Sequence, residues 1–184
     1  MLSHIAFALS AVAVTCILLL SFAAAVFKKF QFWPPPAKES WQHRTFMALF
    51  RVFLYPLIAL SVLTFELLEG TRAIVQYSAG AVLFLIGFGL AFRITFQMGW
   101  RNAFGEERGL KTSGWFAWSR NPIYVVTWAG LAGWALLANA LPVTILLLCW
   151  ALLYLGAPFF EEPWLEGRYG NEYRDYKARV PRFI

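Results

Sequence analysis

The sequence predicts an all-α integral membrane protein with about five transmembrane helices, a C-terminal helical hairpin and a cytoplasmic amphipathic tail helix. Hydrophobic residues make up 60% of the 184 residues and charged residues only 14%, whereas soluble domains average about 45–50% and 25%. Five apolar runs each approach the ~20 residues that a helix needs to cross a bilayer, and no alternating strand pattern is present. Because these runs use most of the chain, we expect a single domain over residues 1–184.

The apolar runs and the charges around them predict how the chain crosses the membrane. The runs cover residues 5–27, 46–68, 74–92, 123–141 and 143–160. No basic residue precedes the first run, and Lys28 and Lys29 follow it, so we predict an uncleaved anchor and not a secretory signal. Basic residues concentrate after the first and third runs and in the tail. This pattern places the N-terminus outside and the C-terminus in the cytoplasm, and the small size favours a prokaryotic inner membrane.

Charge and residue types also exclude some classes of partner. The net charge of +6 does not indicate nucleic acid, because the basic residues are spread over three segments without a basic block. Membrane lipids with anionic headgroups are the expected partners. Cys16 and Cys149 lie inside apolar runs, and His4 and His43 are isolated, so we predict no metal site.

Prolines and small residues predict how the helices are joined and packed. Residues 34–36 are three prolines, which cannot continue a helix and therefore form a stiff connector. Trp33, just before them, is expected at headgroup depth. Small residues in the third and fourth runs predict close helix packing. They are Gly80, Gly87, Gly89, Ala129 and Gly133.

A polar stripe ends the third run. Arg93, Gln97 and Arg101 are four residues apart and therefore share one helical face. Snorkelling of the side chains to the interface explains Arg101 easily and Arg93 less easily, because Arg93 lies deeper in the run. The other interpretation is that the stripe lines a site. The charged, glycine-containing segment 105–114 that follows is typical of a connector that is mobile or covers a ligand.

The fourth and fifth runs are joined by residues 139–142 alone, which is short enough to require a tight antiparallel hairpin. Both outer ends of the hairpin must then emerge on the same face, which brings Arg120 and Tyr124 near Glu161 and Glu162. Charges at this depth are costly unless they bind something. A polar cofactor from the cytoplasm and a lipophilic substrate from the bilayer can meet there.

The tail is expected to form an amphipathic helix that lies against the membrane and caps the hairpin. Its apolar and aromatic side chains at helical spacing are Leu165, Tyr169, Tyr173 and Tyr176.

Short motifs follow one another in a fixed order along the C-terminal half. They are Gly114, Arg120-Asn121-Pro122-Ile123-Tyr124, Glu161-Glu162-Pro163-Trp164-Leu165, Tyr169-Gly170, Tyr173, Tyr176 and Val180-Pro181-Arg182. Their order resembles the isoprenylcysteine carboxyl methyltransferase and phospholipid methyltransferase superfamily over about residues 93–184. The resemblance implies N-terminal membrane helices in residues 1–92 and a cofactor-binding catalytic half in residues 93–184.

The same resemblance implies S-adenosylmethionine as the cofactor, held between two walls. The implied cofactor-binding residues are Arg120, Asn121, Pro122 and Tyr124 on one wall and Glu161 and Glu162 on the other. Two positions depart from the family pattern. Asn121 replaces a histidine, and Val126 replaces a glycine, which narrows the cofactor pocket or shifts the helix face that contacts it.

The implied reaction is S-adenosylmethionine-dependent methyl transfer to a lipophilic acceptor at the cytoplasmic interface, as in isoprenylcysteine carboxyl methyltransferases. A carboxylate acceptor needs only orientation, by Arg101 or Arg179, whereas an amine acceptor needs a general base such as Glu162. Arg120 is expected to hold the carboxylate of the cofactor or an acidic acceptor. The candidate catalytic residues are therefore Glu162, Arg120 and Arg101.

The sequence leaves several alternative functions open. Two are methyltransferases with other acceptors, a phosphatidylethanolamine-type phospholipid N-methyltransferase and a small-thiol S-methyltransferase. The others are a sterol-reductase-like enzyme that uses NADPH and a non-catalytic membrane protein. No feature of the sequence indicates an oligomeric state.

Overall fold

Helices form all the regular secondary structure in the computed structural model, which describes residues 1–27, 30–99 and 109–184. The α-helices are α1 (Leu2–Val26), α2 (Trp41–Leu63), α3 (Thr71–Met98), α4 (Pro122–Ala138), α5 (Leu141–Tyr169) and α6 (Asn171–Arg179). A 3-10 turn at Gly114–Ala117 precedes α4. Four helices, α1, α2, α3 and α5, are long and apolar enough to cross a membrane, and α4 is a shorter apolar helix of 17 residues. The all-α membrane class is confirmed.

The helix ends differ from the ends of the apolar runs because polar residues cap and extend the helices. α2 begins at Trp41, where the Ser40 hydroxyl accepts a hydrogen bond from the His43 backbone N–H at 3.3 Å. It ends at Leu63, before the end of its apolar run, and the Thr64 hydroxyl donates to the Leu60 carbonyl at 2.7 Å. Hydropathy therefore located the helix but not its ends.

The C-terminal end of the hairpin corrects the prediction for the tail. α5 continues to Tyr169 although it contains Pro158 and Pro163, so it outlasts its apolar run by more than two turns. Gly170, at φ +54°, ends it in the left-handed region that favours glycine. Leu165 and Tyr169, predicted in the tail helix, therefore belong to α5, and α6 is a separate helix of nine residues.

Glycines allow α3 and α4 to pack closely, and this pair has the most extensive contact of any two helices described. A Cβ atom on Gly87 would meet the backbone of Gly130, and one on Gly133 would meet the backbone of Phe84. The predicted close packing is confirmed at Gly87 and Gly133. The prediction was wrong for Gly89, where a Cβ would have nothing within 4 Å.

α5 joins the α3–α4 pair to a second pair formed by α1 and α2. Trp150 of α5 lies where the pairs meet, with ring centroids 5.5 Å from Phe50 of α2, 6.4 Å from Phe88 of α3 and 6.4 Å from Trp134 of α4. Edge-on and tilted arrangements of this kind stabilise aromatic clusters beyond their buried area. The cluster fixes α5 in the middle of the bundle, and its C-terminal end carries the acidic pair.

We expect Gly133→Ala to destabilise the protein and the matched change Gly89→Ala to leave it as stable or more so. The first methyl group overlaps the α3 backbone, which typically costs about 1–3 kcal/mol, whereas the second meets open space and removes a helix-weakening glycine. Thermal unfolding of both variants in the same detergent measures the difference. Equal melting temperatures would contradict the close α3–α4 contact.

Candidate functional site

The hairpin turn places the beginning of α4 beside the C-terminal part of α5. Asn139, at φ +46°, ends α4, and α5 begins two residues later. At the far end of the hairpin the Tyr124 hydroxyl donates to Oε1 of Glu161 at 2.6 Å. Nη1 of Arg120 lies 3.3 Å from Oε1 of Glu162. The predicted meeting of these residues across the hairpin is therefore confirmed.

Glu161 has a second hydrogen-bond donor that the sequence analysis missed. The indole N–H of Trp33 donates to Oε1 of Glu161 at 3.0 Å, although the two residues are 128 positions apart. Trp33 stacks on Phe46 of α2 with ring centroids 4.1 Å apart, which orients the indole. The proline-rich connector thus carries Trp33 to the site, and its predicted headgroup depth stays a prediction.

Glu162 is the most buried charge of the site, with 4% of its surface exposed. Arg182 donates to both of its oxygens, from Nε at 2.9 Å and from Nη2 at 2.8 Å. The same guanidinium lies 4.2 Å above the ring of Phe159, and its hydrogen bond to Glu162 raises the pKa of Arg182. Two-pronged pairing of this kind compensates a buried carboxylate well.

Arg120 is buried but incompletely bonded. Its side chain is 10% exposed, and among the described residues neither Nε nor Nη1 has a hydrogen-bond partner. The 3.3 Å approach to Glu162 is therefore an ion pair without a well-formed hydrogen bond. Buried donors without acceptors are rare because desolvating them is costly, so these two nitrogens are suited to a ligand carboxylate or phosphate.

The C-terminal tail crosses the start of α4 and closes one side of the site. The backbone N–H of Arg120 donates to the Pro181 carbonyl at 2.9 Å, and Nδ2 of Asn121 donates to the Arg182 carbonyl at 2.9 Å. The Phe183 ring lies 5.0 Å from that of Trp128. Asn121, where the resemblance implies a histidine, therefore holds the tail with its side-chain amide.

Two further residues of the predicted site region, Pro122 and Val126, act through the backbone or face α3. Pro122 is buried in the first turn of α4, where its fixed φ suits a helix start. The carbonyl of Val126 would lie 2.8 Å from a Cβ on Gly87, so its backbone faces α3, whereas Tyr124 faces α5. The departure from the family's glycine therefore falls on the α3–α4 contact.

The polar stripe of the third run is only partly described. Arg93 and Gln97 are exposed on α3, and Arg101 lies outside the described residues. A site-lining role for the stripe stays a prediction. In residues 1–27, 30–99 and 109–184, no group of three or more His, Cys, Asp and Glu side chains is arranged to hold a metal ion.

α6 covers the site with two buried tyrosines. The Tyr176 hydroxyl donates to the Phe116 carbonyl at 2.7 Å, and Tyr173, only 1% exposed, interacts with Arg120. Burial, followed by the nearby charge of Glu162, raises the pKa of Tyr173 to about 12, although Arg120 opposes the shift. The tail helix therefore caps the hairpin with its aromatic face against protein.

A cavity of about 510 Å³ opens beside this cluster, between the end of α5 and α6. Its lining includes Glu162, Glu166, Arg174, Lys177 and Arg182. Its size is within the range of small-molecule and cofactor sites. The arrangement is therefore a pocket with charged lining residues that include the Glu162–Arg182 pair.

Comparison with known proteins matches the chain to a family. A family model described as phospholipid methyltransferase matches residues 75–172, just over half of the chain. The matched span includes Arg120, Tyr124, Glu161 and Glu162 but not Arg182. No curated protein and no solved structure matches significantly.

We expect Trp33→Phe to destabilise the protein by about 1.5–3 kcal/mol, the usual contribution of a hydrogen bond to a charged group. Phenylalanine keeps a ring to stack on Phe46 but has no N–H to donate to Glu161. Trp41→Phe is the matched control, because Trp41 is 57% exposed at the start of α2. Unfolding in detergent compares them, and an equal loss in both variants would contradict the role of the indole N–H.

Proposed function

The chain belongs to the phospholipid methyltransferase family, and we propose that it uses S-adenosylmethionine to methylate a lipophilic acceptor at the membrane boundary. It is an integral membrane methyltransferase by its family and by its apolar helices. When bound, the cofactor supplies the methyl group from its sulfonium centre. The protein's own residues must bind and orient the reactants and keep water away.

The observation that carries this proposal is the incompletely bonded guanidinium of Arg120. Two of its buried nitrogens lack hydrogen-bond partners among the described residues, and the amino-acid end of S-adenosylmethionine has a carboxylate. An arginine presents paired donors that match a carboxylate in two-pronged geometry. Arg120 is therefore proposed to hold that carboxylate, because its two buried donors without partners fit such a group.

The two adjacent glutamates are proposed to act differently because they have different neighbours. Both oxygens of Glu162 accept hydrogen bonds from Arg182, so this carboxylate is already occupied. Glu161 accepts from two neutral donors, Tyr124 and Trp33, and both bonds reach the same oxygen. Glu161 is therefore better suited than Glu162 to take a proton from an amine or to face a cationic group.

The acceptor is proposed to arrive from the bilayer, and the site is proposed to face the cytoplasm. Phe159, which borders the cavity beside Arg182, is 56% exposed on α5, so an apolar surface leads directly to a polar pocket. The cytoplasmic side follows from the concentration of basic residues near this end of the helices. Isoprenylcysteine-type and phospholipid-type acceptors both have this combination of lipid chain and polar group.

Ligand binding tests the cofactor. We expect purified protein in detergent to bind S-adenosylmethionine in calorimetric titration, and Arg120→Ala to weaken binding by about tenfold to a hundredfold, the usual effect of losing a charged hydrogen bond. Arg72→Gln, on the exposed start of α3, is the control and should bind as the wild type does. Binding of NADPH and not of S-adenosylmethionine would overturn the proposal in favour of the reductase alternative.

Label transfer tests the acceptor. Protein in liposomes is given radiolabelled S-adenosylmethionine with phosphatidylethanolamine, a prenylcysteine analogue or a small thiol, and we expect the label in a lipophilic product. With an amine acceptor, Glu161→Gln should lower kcat by at least about a hundredfold, the usual contribution of a general base. With a carboxylate acceptor, which is already ionised, the loss should be smaller. Label in the thiol alone would refute a lipophilic acceptor.

A further inference from the structure

We propose that Arg182 is a positioning residue that keeps the guanidinium of Arg120 available to an anionic ligand group by occupying both oxygens of Glu162. Neither the family match, which ends at residue 172, nor the predicted motif gives Arg182 a role. The inference rests on the proposed function in one respect, since it takes the ligand group at Arg120 to be the carboxylate of the cofactor.

Two arginines lie within reach of one buried carboxylate, and they are bonded unequally. Arg182 donates two short hydrogen bonds, at 2.9 and 2.8 Å, one to each oxygen of Glu162. Nη1 of Arg120 lies 3.3 Å from Oε1 without a hydrogen bond. The in-plane, two-pronged position on a carboxylate accommodates one guanidinium. Arg182 occupies it, and Arg120 keeps donors to spare.

The surroundings of Arg182 hold it in this position from two directions. Its backbone carbonyl accepts from Nδ2 of Asn121, and the Pro181 carbonyl before it accepts from the backbone N–H of Arg120. Its guanidinium rests on the Phe159 ring at 4.2 Å, a favourable cation–π contact. The tail therefore holds both the backbone of Arg120 and the side chain of Arg182 in place.

The side chains of the two arginines also differ in exposure, and the difference agrees with their different roles. The Arg182 side chain is 32% exposed and that of Arg120 is 10% exposed. Arg182, the more exposed arginine, neutralises Glu162. Arg120, the more buried one, is left to bind the ligand, because unmet hydrogen bonds cost more for a buried group. If Arg182 is removed, Glu162 loses both donors, and a small rotation lets Arg120 bond it. Arg120 is then lost to the ligand.

The experiment compares a ligand that has the amino-acid carboxylate with a ligand that lacks it. S-adenosylhomocysteine has the carboxylate, and methylthioadenosine lacks the whole amino-acid group. Calorimetric titration of the full chain in detergent should show that Arg182→Gln weakens S-adenosylhomocysteine binding about tenfold or more and leaves methylthioadenosine binding within about twofold. Arg182→Lys, with one point charge in place of a fork, should fall between wild type and Arg182→Gln. Arg72→Gln is the charge-matched control.

The double variant Glu162→Gln/Arg182→Gln gives the distinguishing result. A neutral glutamine does not capture Arg120 as a carboxylate does, so the preference for S-adenosylhomocysteine should return to within about threefold of wild type. A purely structural role of Arg182 predicts no such rescue. The double variant removes the Glu162 carboxylate together with the arginine that bonds it, so it tests the proposal even if Arg182→Gln alone does not fold.

The outcomes separate the two proposals. If wild type binds both ligands and Arg182→Gln either matches it or loses both equally, the positioning role is refuted and the proposed cofactor stands. A double variant without the restored preference also refutes the positioning role. If wild type binds neither ligand, the proposed function fails and the positioning role fails with it.

Discussion

The need to pair a buried carboxylate in an apolar chain is the constraint on which the site depends. Glu162 is almost fully enclosed, and an uncompensated charge there would oppose folding strongly. Its partners come from separate parts of the chain. Arg120 precedes α4, and Arg182 follows α6. Folding the tail over the hairpin therefore also brings Glu162 the partner that bonds both of its oxygens.

The features that local sequence determines could be predicted. Hydrophobic length depends only on neighbouring residues, so the membrane class and the approximate helices followed from composition and run length. The short link at Asn139 allows only one geometry for the hairpin, and that geometry alone brings Tyr124 to Glu161. Small residues at Gly87 and Gly133 indicated close packing for the same local reason.

The features that distant residues determine could not be predicted. Trp33 reaches Glu161 only because α1 and α2 place the connector against the end of α5, and no periodicity in the sequence records that placement. Arg182 belongs to one of the motifs that carry the resemblance, but the sequence does not indicate which acidic residue it pairs with. Leu165 and Tyr169 have the spacing of the α6 tyrosines, and only the backbone turn at Gly170 separates them from α6.

The site also joins the two halves of the chain more closely than the motifs indicate. The motif residues lie after residue 93, yet the donor from Trp33 comes from the N-terminal half. Trp150 links the same halves deeper in the bundle through rings on α2, α3 and α4. The N-terminal half therefore contributes a hydrogen bond to the acidic pair through its connector.

The unequal lengths of the two hairpin helices determine the depth of the site. At 1.5 Å per residue, the 17 residues of α4 span about 25 Å and the 29 residues of α5 about 44 Å, against a hydrocarbon core of about 30 Å. Because the turn at Asn139 aligns the helices at one end, the whole difference in length falls at the other. α4 is thus shorter than that core, whereas α5 is longer than it by about 14 Å. Under the proposed function, a lipid acceptor would approach the step between these two helix ends from the side.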